Sequence, residues 1–317
     1  MPKSLRLTLP AQVREAGGTD LSAFIDMVLE GELIFEADGT RGEVIVDCAN
    51  VKLHTPGCIV ATAALARRWI AGGGRVLLLN QADKTGYAAL DPRSQTGGPL
   101  FVAPPLFEFD WATGKLETIA SALASACAPA GYEPCGPYPV VQYCCGELFS
   151  NCRQHARANA FAFADFDAER DLVRFAVADC GSGLKQSFVQ NESPHVHPSV
   201  DDVDAVKIAL KPGISSTTRA RHPYSRSPNF GVGLSMVREF TLLAGGHFFI
   251  QSRRAWLYET AGRLPSQGNC QAGAGWPGTL VNAAMPRAGC GEYLEMLRSA
   301  HRALGLTDDT PENKLFT

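Results

Sequence analysis

The sequence has no basic excess: 29 Lys and Arg stand against 32 Asp and Glu, a formal net charge of −3. That balance offers no electrostatic footprint for nucleic acid or an anionic membrane, so neither is an expected partner. Long apolar runs are missing as well. The most apolar helical stretch, Cys58 to Ala66, runs into Arg67 and Arg68 and is far shorter than a bilayer span. The opening residues, MPKSLRLTLPAQVREAGG, alternate apolar and polar side chains and hold no signal-peptide core, so a cytoplasmic protein is expected. Ten cysteines are present, yet no pair has CxxC spacing, which removes zinc knuckles and dithiol redox motifs. Cys145 and Cys152 share a helical face and can meet a ligand from elsewhere; reduced, buried small side chains are the plainer expectation. His195 and His197 flank one valine like a ligand pair, but the prolines and acidic residues around them read as a solvated loop. No GxxxxGK[ST] phosphate loop occurs. Gly273 to Gly278 satisfies GxGxxG, but it follows a loop and opens no helix, so it does not indicate a dinucleotide site.

What is present suits a globular α/β protein. Hydrophobic residues make up 45% of 317, enough for a substantial core, and the length admits two domains. Leu5, Leu7 and Leu9 alternate as in a half-buried strand, and Asp20 is placed to cap a helix that ends at Gly31. A strand at 44–46, a helix at about 59–70 stopped by Gly72 to Gly74, and an apolar strand at 76–79 fit a βαβ unit. Between about Gln81 and Lys115 the periodicity fades and Gly, Pro and Asp rise, the mark of an interdomain linker. Boundaries follow at 1–100 and 101–317. In the second part, helices are expected at 116–128, 140–158, 201–210, 235–244 and 292–304. Strands are expected at 172–178, 248–251, 255–260 and 280–284, and the last dozen residues are expected to fray.

Four segments carry chemistry. In ELFSNCRQHA, Glu147, Asn151 and His155 recur every four residues and form one polar helical stripe. The Asn151 carbonyl suits a hard cation such as Mg²⁺, and Glu147 suits a base toward a hydroxyl or water; a solvated face is the alternative. In VADCGSGL an apolar strand runs into Asp179, an acceptor for an exocyclic amine, with Gly181 and Gly183 following; an ordinary turn would look the same. In NFGVGLSMVREFTLLAGG, Gly231, Val232, Gly233 and Leu234 open a helix whose free N–H groups can face phosphates. Finally, GWPGTL leads through Gly278 and Thr279 into a last strand.

In this order the four segments resemble the N, G1, G2 and terminal GT boxes of the GHKL ATPases (gyrase, heat-shock chaperone, histidine kinase and MutL), over roughly Leu116 to Pro286. The resemblance implies a two-layer α/β sandwich binding ATP between helices and sheet. It implies Mg²⁺ on Asn151, adenine on Asp179 with Thr279 near it, and the amides of Gly231 and Gly233 on the phosphates. The stretch from Lys185 to Phe230 would be a lid. Arg219, Arg221 and Arg226 within it either reach the γ-phosphate or stand in a solvated basic loop.

No histidine has a phosphoacceptor setting, so an autonomous histidine kinase is disfavoured. Glu147, Asn151, His155 and Ala156 match the E-x-x-x-N-x-x-x-H-A form of the anti-sigma-factor protein kinases, in which the glutamate is the base toward a partner's serine or threonine. The stretch Val44 to Leu79 resembles the STAS domains that such kinases act on. Its phosphoacceptor motif is replaced by His54, Thr55, Pro56 and Gly57, where Thr55 keeps a hydroxyl or simply caps a helix. The expectation is an ATP-binding regulator with ATPase or serine/threonine kinase chemistry on Glu147 and a protein partner, a homodimer being left open. The alternative is a non-catalytic, ATP-gated binding switch.

Overall fold

Strands with both faces apolar need cover on both sides, and the large sheet of this protein has such strands. The computed structural model describes residues 4–14, 18–36, 42–81, 86–91, 101–102, 105–110, 112, 115–128, 135–216, 231–271, 273 and 275–306. The expected C-terminal fraying and Arg219, Arg221 and Arg226 lie outside them. The fold is mixed α/β. Strands β1 (Ser4–Thr8), β2 (Glu43–Asp47) and β3 (Arg75–Leu79) form a parallel sheet in that order, linked by helices α1 (Gly18–Glu36) and α2 (Pro56–Ala71). Helix α1 extends past the expected stop at Gly31. A short antiparallel pair follows, β4 (Leu90–Asp91) and β5 (Phe101–Val102).

The second sheet has seven antiparallel strands. They are β6 (Leu106–Phe109), β7 (Ala160–Asp167), β8 (Leu172–Asp179), β9 (His247–Arg253), β10 (Ala255–Thr260), β11 (Ser266–Asn269) and β12 (Trp276–Pro286). Their order across the sheet is β11-β10-β9-β12-β8-β7-β6. Helices α3 (Leu116–Cys127), α4 (Pro137–Asn151), α5 (Leu184–Gln190), α6 (Asp202–Ala209) and α7 (Gly233–Leu243) cover one face, and α8 (Tyr293–Ala303) packs on α7.

Side-chain alternation divides the core in two. Val173, Phe175 and Val177 of β8, with Phe248 and Ile250 of β9, pack toward α3, α4 and α7. On the other face Phe161, Phe163, Ala176, Ala178, Phe249 and Leu280 pack against α1 and α2, which also bury Val44, Val46, Val76 and Leu78 of the parallel sheet. The helices over the cleft face and the large sheet are therefore backed by two further layers, the α1–α2 pair and the parallel sheet. Helix α2 is buried nearly all round, from Pro56 to Ala66 and at Trp69, because it lies between two sheets.

Two expectations change here. The segment read as a linker contributes Tyr87, Leu90 and Leu106 to this apolar layer, and β6 pairs with β7 inside the large sheet. Thr55, read as a candidate phosphoacceptor, is fully buried beside Cys58. The start of α2 points into the large sheet, where the Gly57 N–H donates to Asn282 Oδ1 at 2.7 Å. Asn282→Ala should leave that buried N–H unpaired and cost about 1–3 kcal/mol. Urea denaturation reads this as a lower midpoint; an unshifted midpoint would remove the contact from the forces holding the two parts together.

Candidate functional site

The end of β8 sets the floor of a cleft. Asp179 is buried, and its Oδ1 accepts the Gly181 N–H at 2.8 Å, with a further bond from the Thr279 N–H. Burial pushes its carboxyl up to about 6, against the opposing pull of those two N–H groups and of the Arg253 charge. Strand β12 shifts register between Trp276 and Thr279, and this irregularity brings Gly278 and Thr279 against Asp179. A Cβ at Gly278 would collide with the Asp179 carbonyl and carboxylate, so only glycine fits there. Gly181 packs against Ala156, where an added Cβ would come within 2.6 Å of the Ala156 carbonyl.

One wall is α4. Glu147 and Asn151 stand one turn apart on it and both line the cleft, with Asn151 making no side-chain hydrogen bond among the described residues. The α-helix expected to reach residue 158 ends at Asn151 and gives way to a π-helical turn, Cys152–Ala156, closed by Arg157 in the left-handed region. The wider turn still leaves His155 on the cleft. His155 Nδ1 pairs with Ser216 Oγ at 2.8 Å, and Ser216 Oγ with Ser187 Oγ at 2.9 Å. Burial, and secondarily Arg157, lower the imidazole to about 4, so it is neutral at physiological pH.

The opposite end is the start of α7. Val232 precedes the helix without a side-chain cap, so the first N–H groups find no partner from that residue. Glu147 lies so close that a Cβ on Gly233 would strike its Oε2. Gly231, at φ +68°, packs on the Ile214 backbone. Glu147, Asn151, Asp179, Gly183, Gly231, Gly233, Leu234 and Thr279 thus line one cleft of about 890 Å³, open solvent at its mouth included. Gly181 and Val232 do not line it: Gly181 is turned to Ala156, and Val232 packs on the core beneath α7.

Chemically, the cleft joins an acceptor-only carboxylate at its buried end to a glycine-bounded helix N-terminus at the other, with a carboxamide between. Compared with known proteins, the chain matches no family model and no curated sequence. The two remaining metal readings gain nothing. Cys145 and Cys152 are buried free thiols, His197 bonds Ser199, and no metal-holding group of His, Cys, Asp or Glu occurs among the described residues.

Sequence reasoning missed three residues that hold the floor in place. Ser252 Oγ accepts the Leu184 N–H at 2.8 Å, Arg253 Nε donates to the Ser182 carbonyl at 3.0 Å, and Trp276 Nε1 donates to the Asp179 carbonyl at 2.9 Å. All three reach across strands, so no local spacing announces them.

Asp179 also carries a pH prediction. A ligand amine needs the ionised carboxylate, so binding should lower the Asp179 pKa below its free value of about 6. Affinity for an amine-bearing base should be flat above pH 6 and fall below it, by at most about tenfold per unit. Folding stability should follow the opposite trend: a carboxyl raised on folding contributes stability at low pH that is lost as pH rises from about 4 to 6. Calorimetry between pH 5 and 8 tests the first part, and a pH-independent affinity would remove Asp179 from the ligand.

Proposed function

We propose that this cleft binds Mg-ATP and that the protein is an ATP-dependent regulator of the GHKL type. ATPase or protein serine/threonine kinase chemistry would centre on Glu147. The observation that carries this reading is convergence. Residues from 147–155, 179–184, 231–234 and 279, far apart in sequence, line a single cleft. The antiparallel sheet with helices over the cleft face supports the same family, and the β1-α1-β2-α2-β3 unit supports a STAS-like N-terminal part.

The base would sit at Asp179 and Thr279, its exocyclic amine donating to the carboxylate. The phosphates would meet the N-terminus of α7 at Gly231 and Gly233. The residues fit a magnesium ion of the kind shared with a nucleotide: one carboxamide, Asn151, faces the cleft, and no all-protein cage exists among the described residues. When bound, the ion would neutralise phosphate charge. Glu147, beside the α7 N-terminus, would orient or deprotonate the attacking hydroxyl or water.

Burial of Thr55 closes off the chain's own candidate acceptor. An external protein substrate remains, or none. The second case is an ATP-gated switch, in which nucleotide alters partner affinity without turnover. Incubation with γ-labelled ATP, alone and with cell lysate, separates them by phosphate release and protein labelling. Absence of ATP binding at millimolar nucleotide, read by calorimetry, would end both readings.

A further inference from the structure

We propose that Trp276, which lies outside the cleft, is the positioning residue for its base-reading carboxylate, and that the indole N–H sets how strongly the cleft prefers a purine bearing an exocyclic amine. The proposal rests on the nucleotide reading and adds to it a residue that acts on base choice through Asp179.

The β12–β8 ladder ends at the pair Leu280 and Ala178, one residue short of Asp179. Beyond it β12 shifts register, and the Thr279 N–H goes to the Asp179 side chain. The Asp179 carbonyl accepts the indole, Trp276 Nε1 standing 2.9 Å away. Glycine at 278 permits this approach, because a Cβ there would come within 2.2 Å of the same carbonyl. The indole has little freedom of its own. It is fully buried and packs on the face of the large sheet that α1 and α2 cover, and it does not line the cleft.

A carboxylate selects an amine only while it is held in line with it. Asp179 is the last residue of β8, so the direction of its side chain follows the main chain at the strand end. Two sets of anchors hold it there. The carboxylate takes the Gly181 and Thr279 N–H groups, and the carbonyl takes the indole N–H. Removing the indole N–H deprives a buried carbonyl of a donor, so the main chain turns and carries the carboxylate with it. Hydrogen bonds weaken steeply with misalignment, so the amine contact suffers. The phosphate contacts at Gly231 and Gly233 belong to another element and are spared.

The test is titration calorimetry on the whole protein and on Trp276→Phe, with Mg-ATP and with the triphosphate of purine riboside, which lacks only the exocyclic amine. The parent should prefer ATP by about 10- to 100-fold, the size of a hydrogen bond to a charged group. Trp276→Phe keeps an aromatic ring in the apolar layer and removes the N–H. Its preference for ATP should shrink by about 3- to 10-fold, while its affinity for the purine analogue stays within about 2-fold of the parent. A general loosening of the fold would weaken both nucleotides alike and leave the preference unchanged. If Trp276→Phe does not fold, Trp276→benzothienylalanine, with sulfur in place of the N–H on the same double ring, is measured in its stead. A parental preference for ATP in the variant, or equal weakening of both nucleotides, overturns the role of Trp276 and leaves the nucleotide reading standing. A parent that binds both nucleotides equally also overturns it, because Asp179 then reads no amine. If the parent binds no ATP, the nucleotide reading fails and takes this one with it.

Discussion

Glu147→Ala should still bind Mg-ATP while turnover falls by about 10²- to 10⁴-fold, the usual size of a general-base effect. Asn151→Ala should fail differently. Both side chains line the cleft from successive turns of α4, but only Asn151 offers a carbonyl oxygen without a hydrogen bond among the described residues. Its loss removes a cation ligand and should weaken Mg-ATP binding itself. Glu147 lies against Gly233, where phosphate charge would gather, so removing its carboxylate relieves repulsion and can even tighten binding. Calorimetry and phosphate release on the two variants separate these outcomes. Unchanged phosphate release and labelling in Glu147→Ala would exclude it as the base. ATP binding with neither activity in the parent would make the switch the better reading.

The cleft was legible in the sequence because its parts are local. Asp179 ends an apolar strand, Gly231 and Gly233 open a helix, and Glu147 and Asn151 share a helical face, each within a few residues of chain. Several elements were not read, for reasons that differ. Strand β7, AFAFADFD, alternates over residues 160–164 between Ala toward α3 and α4 and Phe toward α2, both apolar, so polar residues mark it only at its end, at Asp165 and Asp167. Helix α5 is seven residues long, and its first N–H is met by Ser252 from a distant strand. The π-helical turn after Asn151 has no compositional sign. The packing of α2 did leave one: a helix apolar on every side must be covered on every side, which one small sheet cannot do. Treating 1–100 as self-sufficient overlooked that surplus.

A fragment starting near residue 101, the boundary expected from the sequence, should therefore neither fold alone nor bind Mg-ATP. Removing β1 to β3 with α1 and α2 would bare one whole face of the large sheet, including Phe161, Phe163, Phe249, Trp256, Trp276 and Leu280. Burying a large apolar side chain is worth about 1.5–3 kcal/mol, so together these contribute on the order of 10 kcal/mol, comparable to the net stability of a domain. The loss would not be apolar alone. Arg67 and Glu108 form an ion pair between α2 and β6, the Gln271 N–H donates to Asp26 of α1 at 2.9 Å, and Asn282 would lose its Gly57 partner. Trp276 also anchors the Asp179 carbonyl, so loosening its packing should reach the cleft floor. The fragment should aggregate or bind apolar dye without a cooperative melt, and addition of a separate 1–91 fragment should restore Mg-ATP binding. A monomeric 101–317 fragment that melts cooperatively and binds Mg-ATP with parental affinity would show that α1 and α2 cover the sheet without supporting it.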